Sequence, residues 1–182
     1  CKYAMGVVKE APLDRFYAPL DGNRPWGSTV SYSESHDEER VAYMAANDKN
    51  SLVSGNTNSK INTRCLRLGS LAAQMLLSPG AHMIWQFEEL AVKESTKNAG
   101  GNNTSPKIVP WSYLNNKNYK GLHDTYADLC HIRSEYAYMF DKDASCRLDL
   151  NSVTARYISL VSGTSELYLV VNPAVTSTAE VM

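Results

Sequence analysis

The sequence has no surplus of either charge. Among 182 residues, 18 Lys and Arg face 19 Asp and Glu, for a formal net charge of -1 and a pI near 6.5. Without a basic excess there is no bulk electrostatic grip on nucleic acid or on an anionic lipid surface, and neither is expected as a partner. Also missing is any apolar run approaching the roughly 18 residues that span a bilayer. The first residues, CKYAMGVVKE, carry no basic stretch followed by a hydrophobic one and a small-residue cleavage site. The expectation is a soluble chain with no membrane partner and no address written in it, which leaves a bacterial cytoplasm and secretion equally open. Cysteines are few and scattered: Cys1, Cys65, Cys130 and Cys146 form no CxxC pair and have no histidine at ligand spacing, so no metal ligand is assigned. Cys65 and Cys130 fall on apolar faces of predicted helices, where buried free thiols are expected.

What is present suits a globular core: 43% apolar residues, 20% charged, 10 Gly and 7 Pro. Residues 1–27 mix short apolar pieces with turn signals at Pro12, Pro19, Asp21-Gly22-Asn23 and Pro25, and read as an incoming connection. Thr29 to Ser33 alternates as a strand does. Glu38 to Ala46 holds helix formers, with acids placed to complement the positive end of a helix dipole. After a polar loop from Asp48 to Asn62, a helix is expected with Thr63 as N-cap, its apolar face on Leu68, Leu71, Ala72, Met75 and Leu76, and its stop at Pro79-Gly80. Met83 to Phe87 is a short apolar run, read as a buried strand parallel to the first. Lys93 to Asn103 reads as a loop, and Leu122, Tyr126, Leu129 and Arg133 mark a helix over about Tyr119 to Tyr136. Past Phe140, Arg147 to Leu150, Val153 to Val161 and Glu166 to Val171 alternate as an antiparallel meander.

The order β-α-β-α followed by strands predicts an α/β region, 1–140, and the start of a β domain, 141–182. Two parallel strands cannot close a sheet covered on both faces, and a (β/α)₈ barrel takes about 250 residues. The chain therefore reads as the C-terminal part of something larger. In parallel α/β architectures ligands meet the C-terminal ends of strands, which is where Ser35-His36-Asp37 falls. An Asp there, beside a His, suits recognition of vicinal hydroxyls or stabilisation of a developing cation.

SESHDEER, followed after a helix by LLSPGAHMIWQFEEL, resembles the last two barrel strands of the α-amylase family of glycoside hydrolases. Lys107 to Trp111 and Gly121 to Arg133 resemble the segments that follow, so the likeness runs in order from about Val30 to Phe140. It implies a partial (β/α)₈ TIM barrel, its last two β/α units, followed by an antiparallel β segment. It implies a parent hydrolase acting with retention on α-glucans such as starch. Asp37 would be the carboxylate that hydrogen-bonds sugar hydroxyls and helps distort the ring. His36 would contact the same sugar, and Glu89 would match the acid that closes the eighth strand. The retaining mechanism needs a nucleophile and a general acid about 5 Å apart, and the family carries both upstream of this chain. The chain alone is therefore expected to be inactive, with the remainder of the barrel as its partner. The family's usual calcium site also lies mainly upstream, so no metal is placed here. Phe87 and Ala91 stand where many members have glycines.

Plainer readings sit beside these. Asp37 also suits an N-cap. Glu34, Glu38, Glu39 and Arg40 could form an acid-base network around a cleft, although a solvated helix start accounts for Glu38 and Glu39. Contiguous Ser35, His36 and Asp37 cannot form a nucleophile-base-orienter array, because strand neighbours point to opposite faces. Trp26 and Trp111 are candidate sugar platforms, and Trp85 reads as core. His82, His123 and His131 read as structural. Asn102-Asn103-Thr104-Ser105 contains glycosylation acceptor patterns. The alternative function is a non-catalytic carbohydrate-binding or assembly module, with self-association through open strand edges.

Overall fold

The computed structural model describes residues 1–20, 23–97 and 104–178. The Asp21-Gly22 part of the first turn cluster, the end of the Lys93 to Asn103 loop and the asparagines of the acceptor pattern lie outside the described residues. The fold is mixed α/β, with a two-stranded parallel sheet and a separate three-stranded antiparallel one. A short helix, α1 (Lys2–Met5), and 3-10 turns at Val8–Glu10, Asp14–Phe16 and Ala18–Leu20 lead into strand β1 (Val30–Tyr32). Helices α2 (Val41–Asn47) and α3 (Asn58–Leu76) follow, then strand β2 (Ala81–Met83). β2 lies parallel to β1, with Ser31 opposite His82. Helix α4 (Lys117–Glu135) precedes the antiparallel strands β3 (Ser145–Asp149), β4 (Arg156–Ser162) and β5 (Ser165–Val171).

Several expectations are corrected, each for a local reason. α2 begins at Val41, not Glu38, and has no acid in its first turn; Arg40 is its N-cap without a side-chain cap bond. The Glu34 carboxylate does that work from outside, accepting the Val41 N–H at 2.7 Å. Asp37 is thus not the cap. α3 starts five residues before Thr63, where Thr57 accepts the Lys60 N–H as its N-cap; the Thr63 hydroxyl bonds back to the Ser59 carbonyl. The second strand is Ala81–Met83, half-exposed, and it meets the expected buried strand Met83 to Phe87 only at Met83; Ile84 to Phe87 are not strand. Beyond it, Arg40 takes the Gln86 carbonyl at 3.0 Å and Glu88 takes the Trp85 N–H at 3.3 Å, which draws the chain out of the ladder. All four cysteines are free, and Cys130 is exposed.

α3 and α4 pack through Gly69, where an added Cβ would lie 3.4 Å from the Thr125 methyl and 3.6 Å from Leu122. Leu68, Leu71, Met75, Leu122 and Leu129 are buried along this seam, each contributing about 1.5–3 kcal/mol by its removal from water. The same apolar cluster continues into Leu150, Ile158, Leu160 and Val171 of the antiparallel region. Arginines tie the layers together through backbone carbonyls. Arg67 donates to the carbonyls of Tyr3, Ala4 and Pro173. Arg156 donates to those of Ala11 and Ser152. Their guanidiniums lie 4.8 and 5.0 Å from the Tyr3 ring centre. Arg133 of α4 donates to Leu76, Ser78 and Gly80, satisfying carbonyls that the C-terminus of α3 leaves open, at the negative end of its dipole.

Candidate functional site at the strand exits

β1 and β2 point the same way, so their C-terminal ends release two chain segments side by side. The β1 exit carries Ser33 to Arg40 and the β2 exit carries Ile84 to Ala91. Two carboxyls are buried where the exits meet, Glu34 at 3% exposure and Glu88 at 4%. Burying an ionised carboxylate is costly unless it is paired and hydrogen-bonded. Glu34 binds Arg40 Nη1 at 2.9 Å as well as the Val41 amide. Glu88 accepts the Ser33 hydroxyl and the Tyr126 hydroxyl, the latter at 2.7 Å. Ser33 thus joins the β1 exit to the β2 exit, and Tyr126 joins both to α4.

Burial first, and the neighbouring Glu88 second, push the Glu34 carboxyl up to about 7, against the pull of Arg40. Burial likewise raises Glu88, although Ser33 and Tyr126 favour its charged form. Tyr126 is pushed well above the usual phenol range by its own burial and by Glu88. Two neighbouring buried acids favour the protonated form of one of them. Arg40, itself 2% exposed, has its guanidinium 4.0 Å from the centre of the Trp85 ring. Trp85, expected in the core, is half-buried under this cation.

His36 and Asp37 lie at the surface just beyond this buried layer. His36 Nε2 is 3.3 Å from Asp37 Oδ1, and the Asp37 amide donates to the Ser35 hydroxyl at 3.2 Å. Ser35 in turn donates to Glu38, so its hydroxyl braces the turn and is not arrayed with His36 as a nucleophile. Neither His36 nor Asp37 lines the principal cavities of the surface. Glu89 is half-buried beside Glu88 in a 3-10 turn, Glu88–Leu90. Trp111 is exposed and meets Phe87 edge-on, ring centres 5.1 Å apart, which puts it alongside the β2 exit. Trp26 sits half-buried in the turn before β1.

The 3-10 turn is bracketed by unusual backbone. Phe87 has φ 62° and Ala91 φ 49°, both left-handed, a region that costs L-residues and favours glycine. The buried pair Glu34 and Glu88, with Tyr126, is the part of this arrangement that the sequence signalled least. A polar residue two places past a strand was visible at Glu34. Nothing in the local pattern distinguished Glu88 from Glu89.

His82 faces Ser78, with Nε2 2.8 Å from its carbonyl oxygen, and burial lowers its imidazole to about 4. Among the described residues no three of His, Cys, Asp and Glu converge on one point. No helix among them is long and apolar enough to cross a membrane. Compared with known protein families and with curated proteins, the chain matches no family model and no curated relative.

Proposed function

We propose that the chain is the C-terminal part of an α-amylase-like glycoside hydrolase: the last two β/α units of a (β/α)₈ barrel with the start of a β domain. One observation carries this reading. A His-Asp pair leaves β1 beside the exit of its parallel neighbour β2, and Phe87 and Ala91 at that exit hold left-handed backbone. Those are the positions at which the resemblance expects glycine. The conformation that glycine serves is kept although the residue is not.

The two-stranded sheet supplies further support. Parallel strands are ordinarily covered on both faces, yet Val30 is 58% and Tyr32 42% exposed. Further barrel strands would cover this flank. In that setting Asp37 would accept hydrogen bonds from vicinal sugar hydroxyls and stabilise positive charge developing at the anomeric carbon. His36 would orient the same ring, and Trp111 would offer a stacking face. Nucleophile and general acid come from upstream strands, so the 182-residue chain releases no reducing sugar from soluble starch.

The test is to read the coding region upstream of Cys1 and assay the longer protein on soluble starch. Six further strand-helix units, with an Asp and a Glu at strand ends and hydrolysis abolished by Asp37→Asn, are expected. An upstream region without such units overturns the reading, as does starch hydrolysis by the 182-residue chain alone. The open flank also favours a second reading, a module covered by another copy of itself. A dimer by light scattering that binds glucan without hydrolysing it, whatever precedes Cys1, would establish that one instead.

A further inference from the structure

The segment that follows β2 does not hang free of the His36-Asp37 turn. After Ala91 it runs through Val92, 1% exposed, to Thr96, also 1% exposed, and there it meets Glu39. One carboxylate collects four donors. Glu39 Oε1 accepts the Thr96 N–H at 2.6 Å, the Thr96 hydroxyl at 3.1 Å and the Arg40 N–H at 3.0 Å, and Oε2 accepts the Ser95 hydroxyl at 2.5 Å. The Thr96 hydroxyl also reaches the Glu38 carbonyl at 3.1 Å. The far side is pinned as well, because Lys107 Nζ donates to the Thr96 carbonyl at 2.6 Å and Tyr113 donates to Glu94 at 2.8 Å.

An ionised carboxylate has about four lone-pair positions, and donors drawn to it form the stronger, charge-assisted class of hydrogen bond. A carboxylate filled in this way fixes what it touches, and what Glu39 touches is the loop of the neighbouring strand. Burial disfavours its charge, but the donors from Ser95, Thr96 and Arg40 outweigh that and hold its carboxyl below the usual value. Glu39 therefore stays ionised well into mild acid.

We propose that Glu39 is a positioning residue: it clamps the Ser95-Thr96 loop against the turn bearing His36 and Asp37, so that the two strand exits present one fixed surface to a saccharide. The saccharide part rests on the function proposed above; the clamp does not. Glu39→Gln keeps the shape but removes the charge and one of the two acceptor oxygens, so its four donors lose the charge-assisted class of bond. Backbone hydrogen exchange at Thr96, read by NMR or by mass spectrometry of the peptide that spans it, reports the clamp. Titration with maltohexaose reports the site, and thermal unfolding reports general damage.

Exchange at Thr96 is expected to rise about tenfold or more in Glu39→Gln, the equivalent of losing one charge-assisted bond. Maltohexaose affinity should fall several-fold, with little change in Tm. Ser95→Ala combined with Thr96→Val removes donors from the other side and should reproduce both effects, which guards against a misfolded Gln variant. Unchanged backbone exchange at position 96 in both variants, each corrected for its intrinsic rate, overturns the clamp. Faster exchange with undiminished affinity reduces Glu39 to a structural brace and overturns the positioning role. If the unaltered chain does not bind maltohexaose while exchange still rises, the clamp stands and the saccharide it was to serve is rejected.

Discussion

Two regions of this molecule bury charge in opposite ways. In the layered body, Arg67, Arg133 and Arg156 spend their donors on backbone carbonyls and aromatic faces. At the strand exits, Glu34 and Glu88 are buried together, and a single cation, Arg40, pairs with one of them. A guanidinium stays charged throughout the accessible pH range and satisfies several acceptors at once, so the body is tied by bonds that pH does not touch. Burial, and for Glu34 the neighbouring Glu88, favour the protonated forms of these acids, so the exits respond to pH. The lesson is that the body is arranged for stability, whereas the exits hold groups that stability alone would not assemble.

The largest effect is expected in the body. Arg156 is fully buried, and Arg156→Met leaves the Ala11 and Ser152 carbonyls without their donor. At about 1–3 kcal/mol for each unsatisfied buried group, the loss should be about 3 kcal/mol by urea denaturation. It should be equal at pH 5 and pH 7.5. A loss below about 1 kcal/mol would mean that these arginines are not the ties described here.

The exits should give the pH dependence that the body lacks. Glu34 is raised from 4.5 to about 7 in the folded chain. Between those values the unfolded chain has released a proton that the folded one retains. This group's contribution is therefore fully present below pH 4.5 and is lost as pH rises towards and through 7, up to about 3 kcal/mol in all. Glu88→Gln removes the negative neighbour and should flatten the slope between pH 5 and pH 7.5. A steeper or reversed slope would sink the idea that Glu88 helps to raise Glu34.

How far the sequence foretold this depends on the range over which each signal acts. The helical spacing of Leu68, Leu71 and Met75 is set by one face of one helix, and α3 and α4 form around that spacing, although α3 starts at Asn58, five residues before the expected cap. β3, β4 and β5 likewise follow their alternation. The start of α2 was displaced because its first amide is satisfied by Glu34, seven residues earlier and outside the helix. β2 lies N-terminal to the apolar run Met83 to Phe87, because Arg40, far away in sequence, holds the Gln86 carbonyl and keeps that run out of the ladder. The resemblance points to Glu89, whereas Glu88 is the acid that meets Ser33 and Tyr126; adjacent acids in a 3-10 turn differ only in that, and no local pattern encodes it. His36 and Asp37 were visible because their position at a strand end is local; what lies opposite them is not.

A smaller pair of changes separates the regions through backbone alone. Ala91 holds φ 49° at the exits, so Ala91→Gly should stabilise by about 0.5–1 kcal/mol. In the body, Gly69 is helical and a Cβ there meets its neighbours at ordinary contact distances. Gly69→Ala should therefore also stabilise, by about 0.5 kcal/mol, through helix propensity less some crowding against Thr125. The same exchange of residues, run in opposite directions, thus helps in both places. If Ala91→Gly destabilises instead, the left-handed turn at the β2 exit is not a strained feature.

The smallest effect on folding belongs to the residue with the largest proposed role. Asp37 lies at the surface, and neither caps α2 nor joins the buried acid layer. Asp37→Asn should shift the unfolding free energy by no more than about 0.5 kcal/mol. It should nonetheless weaken maltohexaose binding if the exits hold sugar, because an amide is a poorer acceptor for hydroxyl donors than a carboxylate. Equal affinity in the two proteins, with unaltered Tm, would strip the His36-Asp37 turn of any part in recognition.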